Sequence, residues 1–216
     1  MGHMLRTEAT AKVRRGLVEA AVSLLAEDGM RGVTHRRVER AAGVSQGTLK
    51  YHFGSLEGLV AAVVDVMADV ELGSVLTVPP ELVEQFVATG SVPDEVWRRA
   101  DAAVAEIMGR PELVRARFEI YLHAATRPEL QAVIARGRER FVARTAESLA
   151  PLLGQGNEES ARSAARMVRA LVDGVLLHEV SAPDPSHRQS LAPWLLAAAT
   201  SSTMLGDLTK QHLAAR

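Results

Sequence analysis

Side chains suited to hydrogen bonding with DNA bases cluster on a short segment that begins at residue 45. Leu49 and Phe53 are four residues apart, so in a helix they share one side and leave the polar side chains facing outward. A glutamine amide can bind adenine bidentately, a lysine donates to guanine, and hydroxyls bond bases or phosphates. The outward-facing side chains predicted in this way are Gln46, Thr48, Lys50 and Tyr51. Their chemistry predicts a surface that binds double-stranded DNA.

Two short helices joined by a glycine turn are needed to present this surface, and residues 34–53 have the sequence for them. Thr34 is predicted to cap the first helix through its hydroxyl, and Val38 gives that helix an apolar side. Gly43 supplies the backbone freedom that the corner requires, and Ser45 is predicted to cap the second helix. The pattern is that of a helix-turn-helix, whose second helix enters the major groove of DNA.

The segment from Thr34 to Leu59 resembles the N-terminal DNA-binding domain of the TetR family of transcriptional regulators. The Ala-Gly-Val turn, the Ser-x-Gly-Thr opening of the second helix, its aromatic close and the following Ser-x-Glu-x-Leu carry the resemblance. It covers roughly the first third of the chain by motif and the remainder by length and helix count. The resemblance implies contacts to base edges from Gln46, Thr48 and Lys50, with Gly47 allowing close backbone approach. It implies phosphate contacts from Thr34, Arg36, Tyr51 and His52.

Two positions depart from the family pattern. Glu39 follows Val38 where a small residue usually packs against the recognition helix. We expect its carboxylate to turn outward or to meet a cation such as Arg36 or Lys50. Leu56 stands where many members carry a lysine that reaches a phosphate, so one backbone contact is expected to be missing.

Charge is distributed unevenly along the chain. Residues 1–60 hold nine Lys and Arg against six Asp and Glu, and the remainder holds sixteen against twenty, which gives the net charge of −1. The basic part is attracted to phosphate, and the acidic remainder is not. Arg14 and Arg15, in the basic part, either add phosphate contacts or form a solvated helix face.

Composition excludes several classes of protein. The 216 residues include no cysteine and no apolar stretch long enough to span a bilayer, which predicts a cytoplasmic protein. Glu119 and His123 are four residues apart, as a metal site or an acid–base pair requires, but no second pair with matching spacing follows. Because a nucleophile elbow and a phosphate-binding loop are also missing from the sequence, we predict no enzymatic activity, no metal and no cofactor.

The predicted fold class is all-α, because no segment alternates apolar and polar residues as a strand does. We predict an N-terminal three-helix helix-turn-helix DNA-binding domain over residues 5–54. A C-terminal helical ligand-binding and dimerisation domain is predicted over residues 55–216. Helices outside the motif are predicted at about 7–27, 55–75, 93–108, 111–127, 128–153 and 158–181, with a short segment at 81–88 and a last helix ending near 205.

A small-molecule site in the C-terminal domain is implied by the resemblance. Aromatic residues make up only 4% of the chain, so its few large apolar groups either line a cavity or form ordinary core. These groups are Phe86, Trp97, Met108, Phe118, Tyr121, Phe141 and Met167. We predict that Trp97, Phe118 and Tyr121 lie near one cavity. The polar anchor for the ligand is predicted to be Arg117, Glu119 or His123.

Two apolar stripes near the C-terminus predict a homodimer built from two helices of each subunit. The stripes include Leu171, Gly174, Val175, Leu191, Trp194 and Leu195. Gly174 would allow close approach of a partner backbone. The alternative is that both stripes are buried within one subunit.

Together with the resemblance, these features predict a ligand-responsive transcriptional regulator. It would act as a repressor that binds a palindromic DNA operator as a dimer and is released by a small-molecule inducer. The helix that begins near Ser55 would link the DNA module to the ligand domain. The alternatives are a transcriptional activator and a helical small-molecule sensor that does not bind an operator.

Overall fold

The computed structural model describes residues 2–75, 79–89, 91–153 and 158–183. Within these ranges the chain forms nine α-helices and no strand, so the predicted all-α fold class is confirmed. The helices are α1 (Gly2–Gly32), α2 (His35–Ala41), α3 (Thr48–Phe53), α4 (Leu56–Gly73), α5 (Pro80–Thr89), α6 (Asp94–Met108), α7 (Pro111–Ala124), α8 (Pro128–Leu153) and α9 (Glu158–Ser181). The last helix of the prediction lies outside the described residues.

The chain forms two compact units. Of the described residues, those in 2–69 and 110–137 belong to the first unit, and those in 70–109 and 138–183 belong to the second. The predicted domains, 5–54 and 55–216, stay a prediction. No helix in the described part of the chain is both long and apolar enough to cross a bilayer.

In the first unit, α1 packs along α7. Leu17 and Leu25 of α1 and Ile120 of α7 are fully buried in this core. Each of these side chains stabilises the fold by about 1.5–3 kcal/mol through removal from water. The helix-turn-helix is fastened to the same core through Val38 and Leu49, which are also fully buried.

A glycine interrupts α1 near its C-terminal end. Gly29 has φ 63° and ψ −164°, so the helix kinks there and one further turn follows. The helix predicted over about residues 7–27 ends just before this glycine, whereas in the structure α1 continues past the kink to Gly32. The left-handed φ favours glycine, whereas the nearest atom to a side chain added there would be a carboxylate oxygen of the exposed Glu119, which can move.

In the second unit, α8 and α9 pack through small side chains. Val142 and Ala146 of α8 meet Ala161 and Ala165 of α9, and all four are buried. Alanines at these positions let the two helix backbones approach closely. On another part of this unit, Val96 of α6 packs with half-buried apolar side chains that include Trp97.

Candidate functional site

The helix-turn-helix is assembled from α2, a tight turn and α3. Thr34 caps α2 as predicted, because its hydroxyl accepts a hydrogen bond from the backbone N–H of Arg37 at 3.4 Å. Gly43 adopts φ 65° at the corner, which confirms the predicted need for glycine. The next helix, α4, is capped by Ser55, whose hydroxyl accepts from the N–H of Gly58 at 3.1 Å.

Glu39 lies inside the motif rather than facing outward. Glu39 is only 4% exposed. One of its carboxylate oxygens accepts hydrogen bonds from the backbone N–H groups of Gly47 at 2.9 Å and Leu49 at 3.0 Å. The expectation of an outward or cation-paired carboxylate is therefore wrong. The physical reason is that the first N–H groups of a helix have no partner within it, and a buried anion satisfies them well.

Ser45 does not cap the recognition helix, so that prediction is also wrong. The helix begins at Thr48, and its N-cap residue is Gly47, with φ 90° and no capping side chain. Ser45 instead uses its carbonyl to accept from the hydroxyl of Thr48 at 2.6 Å. The carboxylate of Glu39 occupies the position that a serine cap would take.

The residues predicted to contact bases lie within five consecutive positions of the first unit, 46–50, and their polar side chains are accessible. Gln46 and Lys50 are exposed, Thr48 is half-buried through its bonds to Ser45, and Leu49 points into the core. Gly47 is exposed, with no atom within 4 Å of the place a Cβ would take. The backbone at the start of α3 is therefore open to close approach.

The predicted phosphate-binding residues flank this stretch. Tyr51 is 84% exposed and meets the half-buried His52 ring edge-on at 5.0 Å. Thr34 and Arg36 are exposed at the start of α2. Since their roles depend on DNA, they stay predictions.

Arg14 of α1 contacts the end of the recognition helix. Its guanidinium donates to the backbone carbonyl of His52 and lies 4.3 Å from the centre of the Phe53 ring. This arginine therefore joins α1 to α3. The sequence predicts either a phosphate contact or a solvated helix face for Arg14, and neither includes this role. Leu56, the other departure from the family pattern, is half-buried and packs against the core of the first unit.

The six predicted ligand-binding residues are divided between the two units. Five lie on α7 in the first unit, and Trp97 lies on α6 in the second unit. Arg117 is 3% exposed, with its guanidinium 5.2 Å from the centre of the Tyr121 ring, and Phe118 meets Tyr121 edge-on at 6.3 Å. Glu119 is exposed beside Gly29. The shared cavity proposed for these residues stays a prediction.

A cavity of about 440 Å³ in the first unit is lined by one of the six, His123. Burial lowers the pKa of His123, and the neighbouring Arg127 lowers that pKa further. Glu57, which also lines this cavity, has its pKa lowered by its backbone N–H and the Ser55 hydroxyl. Within the described ranges, no three His, Asp or Glu side chains form a group that could hold a metal ion.

A second cavity, which we call the second-unit cavity, has a volume of about 110 Å³ and none of the six predicted residues among its described lining. Side chains from α4, α6, α8 and α9 surround it. Thr145 of α8 lines this cavity and is only 6% exposed. Its hydroxyl has no hydrogen-bond partner among the described residues.

One residue of a buried ion pair lines the second-unit cavity. Glu71 of α4 lines the cavity and accepts a hydrogen bond from the guanidinium of Arg169, which is 4% exposed. Arg169 also bonds Asp173 at 3.2 Å and lies 5.0 Å from the centre of the Phe141 ring. Sequence reasoning missed Glu71, Thr145 and Arg169, although Phe141 and Met108 were among the large apolar groups considered for a cavity.

The predicted dimer stripes are described only in part. On α9, Val175 is buried and lines the second-unit cavity, Leu171 is half-buried and Gly174 is exposed. Leu177, one turn from Gly174, is 49% exposed. Leu191, Trp194 and Leu195 lie outside the described residues, so the dimer surface stays a prediction.

Comparisons with known proteins agree with this arrangement of a DNA-reading motif and a helical body. Residues 17–63 match the family model described as bacterial regulatory proteins, tetR family. Residues 91–201 match the model described as tetracyclin repressor-like, C-terminal domain. No protein with a curated description matches the chain significantly.

Solved structures share the fold over most of the chain. A TetR family member from Streptomyces coelicolor A3 is 24% identical, with 86% of this chain and 97% of that one covered and a TM-score of 0.60. A transcriptional regulator from Rhodococcus sp. Rha1 is 22% identical, with 88% and 96% covered and a TM-score of 0.63. The multidrug binding protein EbrR, complexed with malachite green, is 23% identical, with 86% and 96% covered and a TM-score of 0.60.

Proposed function

Since the chain belongs to the TetR family of transcriptional regulators, we propose that it is a ligand-responsive repressor. In this proposal it binds a palindromic operator in the cytoplasm as a homodimer. A small-molecule effector that fills the second-unit cavity then releases it from DNA. The observation that carries the proposal is that the polar side chains of the recognition helix are accessible. The opposite side of the helix is fixed by the buried Leu49 and by the hydrogen bonds to Glu39.

Sequence reading is assigned to the exposed start of α3. Gln46 and Lys50 have the hydrogen-bonding groups to recognise adenine and guanine in the major groove, and Thr48 can contact either base edges or phosphate. The open backbone at Gly47 supports this assignment, because no side chain keeps the DNA at a distance there. Specificity therefore depends on three side chains, one from the turn just before α3 and two from the first turn of the helix.

Affinity is assigned to the residues around that turn. Thr34, Arg36, Tyr51 and His52 supply a hydroxyl, a cation, a phenol and an imidazole to phosphate oxygens. The excess of positive charge in residues 1–60 supports this role. A two-fold dimer would place two such surfaces on the two halves of a palindrome.

Effector binding is assigned to the second-unit cavity. EbrR, a structural neighbour, is named as a multidrug binding protein complexed with malachite green, and we extend small-molecule binding to this chain by that likeness. Trp97 lies on α6, which also contributes the cavity residues Ala100 and Val104. Tryptophan fluorescence should therefore respond to an effector.

Helix α4 is proposed to couple effector binding to DNA release. It begins three residues after α3 ends, and Glu71 in its last turn lines the second-unit cavity. A ligand that displaces Glu71 shifts the end of this helix. Release follows if the effector favours a spacing of the two DNA modules that does not match the operator.

A gel shift on the DNA that flanks the protein's own coding region tests the proposal. We expect a complex whose log affinity falls linearly with log salt concentration, because phosphate contacts release counterions. Scrambled DNA of equal length is the control. A protein that binds both DNAs equally, or neither, would refute operator binding and favour the sensor. Reporter output from the same promoter distinguishes repressor from activator.

A further inference from the structure

We propose that the effector is an apolar molecule, neutral or cationic, whose hydrogen-bonding group pairs with the hydroxyl of Thr145. This inference rests on the proposed function of the second-unit cavity as the effector site. It names the chemistry of the ligand and the side chain that selects it.

The walls of the second-unit cavity favour an apolar ligand. Sixteen described residues line it, and all but four are apolar. The apolar contributions come from α6, α8 and α9, with Ile107, Phe141 and Val172 as examples. An apolar molecule that enters such a site leaves water without breaking any hydrogen bond of the protein.

The hydroxyl of Thr145 is the polar group that lacks a partner in this apolar setting. Ser74 also lines the cavity, but its hydroxyl already donates to the carbonyl of Val70 at 3.0 Å. Thr145 Oγ1 is buried with no hydrogen-bond partner among the described residues. A buried polar group in that state destabilises the protein until something bonds to it. A ligand with one donor or acceptor at this point supplies that bond.

Charge at the cavity wall disfavours an anion. Glu71 is the only ionisable residue in the described lining, so a ligand meets a carboxylate there. Behind it, the guanidinium of Arg169 is engaged by Glu71 and Asp173, so one cation faces two carboxylates. An anionic ligand would be repelled by this arrangement and would lose its own hydration. A cation would lose hydration too, but it would gain attraction to Glu71.

Size decides which probes fit without rearrangement. The volume of about 110 Å³ is somewhat below that of an engineered cavity of about 150 Å³ that holds benzene. Single-ring compounds are therefore the probes that require the least movement of the walls. Larger effectors must move the walls further apart, and α4 is one of those walls.

Calorimetric titration of the full chain with benzyl alcohol, toluene, benzylamine and sodium benzoate tests the inference at neutral pH. The quantity compared is the ratio of the affinities for benzyl alcohol and toluene, since the two differ by one hydroxyl. We expect this ratio to fall about fivefold in Thr145→Val, the equivalent of one ordinary hydrogen bond. The ratio should persist in Thr145→Ser, which keeps the hydroxyl, and in the control Thr89→Val, the same change at an exposed threonine outside the described lining. Benzylammonium should bind at least about tenfold more tightly than benzoate.

Three results would overturn the inference. The first is a ratio unchanged in Thr145→Val, and the second is benzoate binding as tightly as benzylammonium. The third is no binding of any probe by wild-type protein whose circular dichroism shows it folded. Thr145→Ser also provides a folded comparison if the valine variant does not fold.

The proposed function is tested separately, by adding the same probes to the operator complex. If the ratio of benzyl alcohol to toluene affinity falls in Thr145→Val but the probes leave the operator complex intact, the inference is supported and effector release is not. If the probes release the operator complex but the affinity ratio is the same in wild-type protein and Thr145→Val, the inference alone is overturned.

Discussion

Replacing Glu39 with alanine removes the acceptor for two backbone N–H groups at the start of the recognition helix. The N–H of Leu49 is buried, so it loses its partner without gaining water. The N–H of Gly47 is half-buried, so water can reach it in part. At about 1–3 kcal/mol for each unsatisfied donor, we expect Glu39→Ala to lower the free energy of unfolding by about 2–4 kcal/mol.

Glutamine at the same position gives a graded comparison. Glu39→Gln keeps a carbonyl oxygen that can accept the same two hydrogen bonds, but it loses the charge that strengthens them. We expect a loss of about 1 kcal/mol for Glu39→Gln. Arg40→Ala, an exposed change in the same helix, should alter stability by less than about 0.5 kcal/mol.

Urea unfolding followed by circular dichroism measures these differences, and thermal unfolding checks them. A loss of 2–4 kcal/mol corresponds to a decrease in Tm of roughly 4–16 °C in a chain of this length. Operator affinity should fall with stability, because α3 is no longer held at its N-terminus. If Glu39→Ala is as stable as Arg40→Ala, the carboxylate does not organise the recognition helix and our account of the motif is wrong.

Three further predictions concern DNA reading, acid stability and assembly. Thr48→Ala should reduce preference for the operator over scrambled DNA, whereas Arg36→Ala should weaken both complexes equally and lower the salt slope by about one; equal behaviour of the two variants would contradict their roles. Burial lowers the pKa of His123 below 6.5, so its neutral form is favoured by folding and stability should fall as pH drops below 6.5. In urea titrations over this pH range, His123→Gln should lose less stability, and an unchanged profile would exclude this histidine as a cause. Leu171→Glu combined with Trp194→Glu should sediment as a folded monomer, and a variant that stays dimeric or unfolds would exclude this surface.

Local chemistry determines the helices that the sequence predicts well. The described bounds of α9 coincide with the prediction, and the hydroxyls of Thr34 and Ser55 cap their helices from three residues away. The motif is recognisable for the same reason, because Gly43 must adopt a positive φ whatever surrounds it. Such features depend on neighbours within a few residues of sequence.

Features that depend on distant residues were not predictable from local pattern. Ser45 stands where the sequence predicts an N-cap, but the carboxylate of Glu39, from another helix, accepts the hydrogen bonds at the start of α3. Thr145 looks in sequence like any helical threonine, and its isolation follows only from the packing around it. The pairing of Glu71 with Arg169 joins residues 98 apart in the chain. Periodicity places a residue on a helix face, but it does not identify what that face meets.

The discontinuous first unit has a consequence for the order of events during translation. The recognition helix ends at residue 53, yet α7, which covers the apolar face of α1, belongs to the segment 110–137. At about 5–20 residues per second, the ribosome needs on the order of ten seconds to add the intervening chain. Until then Leu17 and Leu25 lack their partner Ile120 and remain available to chaperones or to other nascent chains. The recognition helix is therefore synthesised well before the unit that supports it can finish folding.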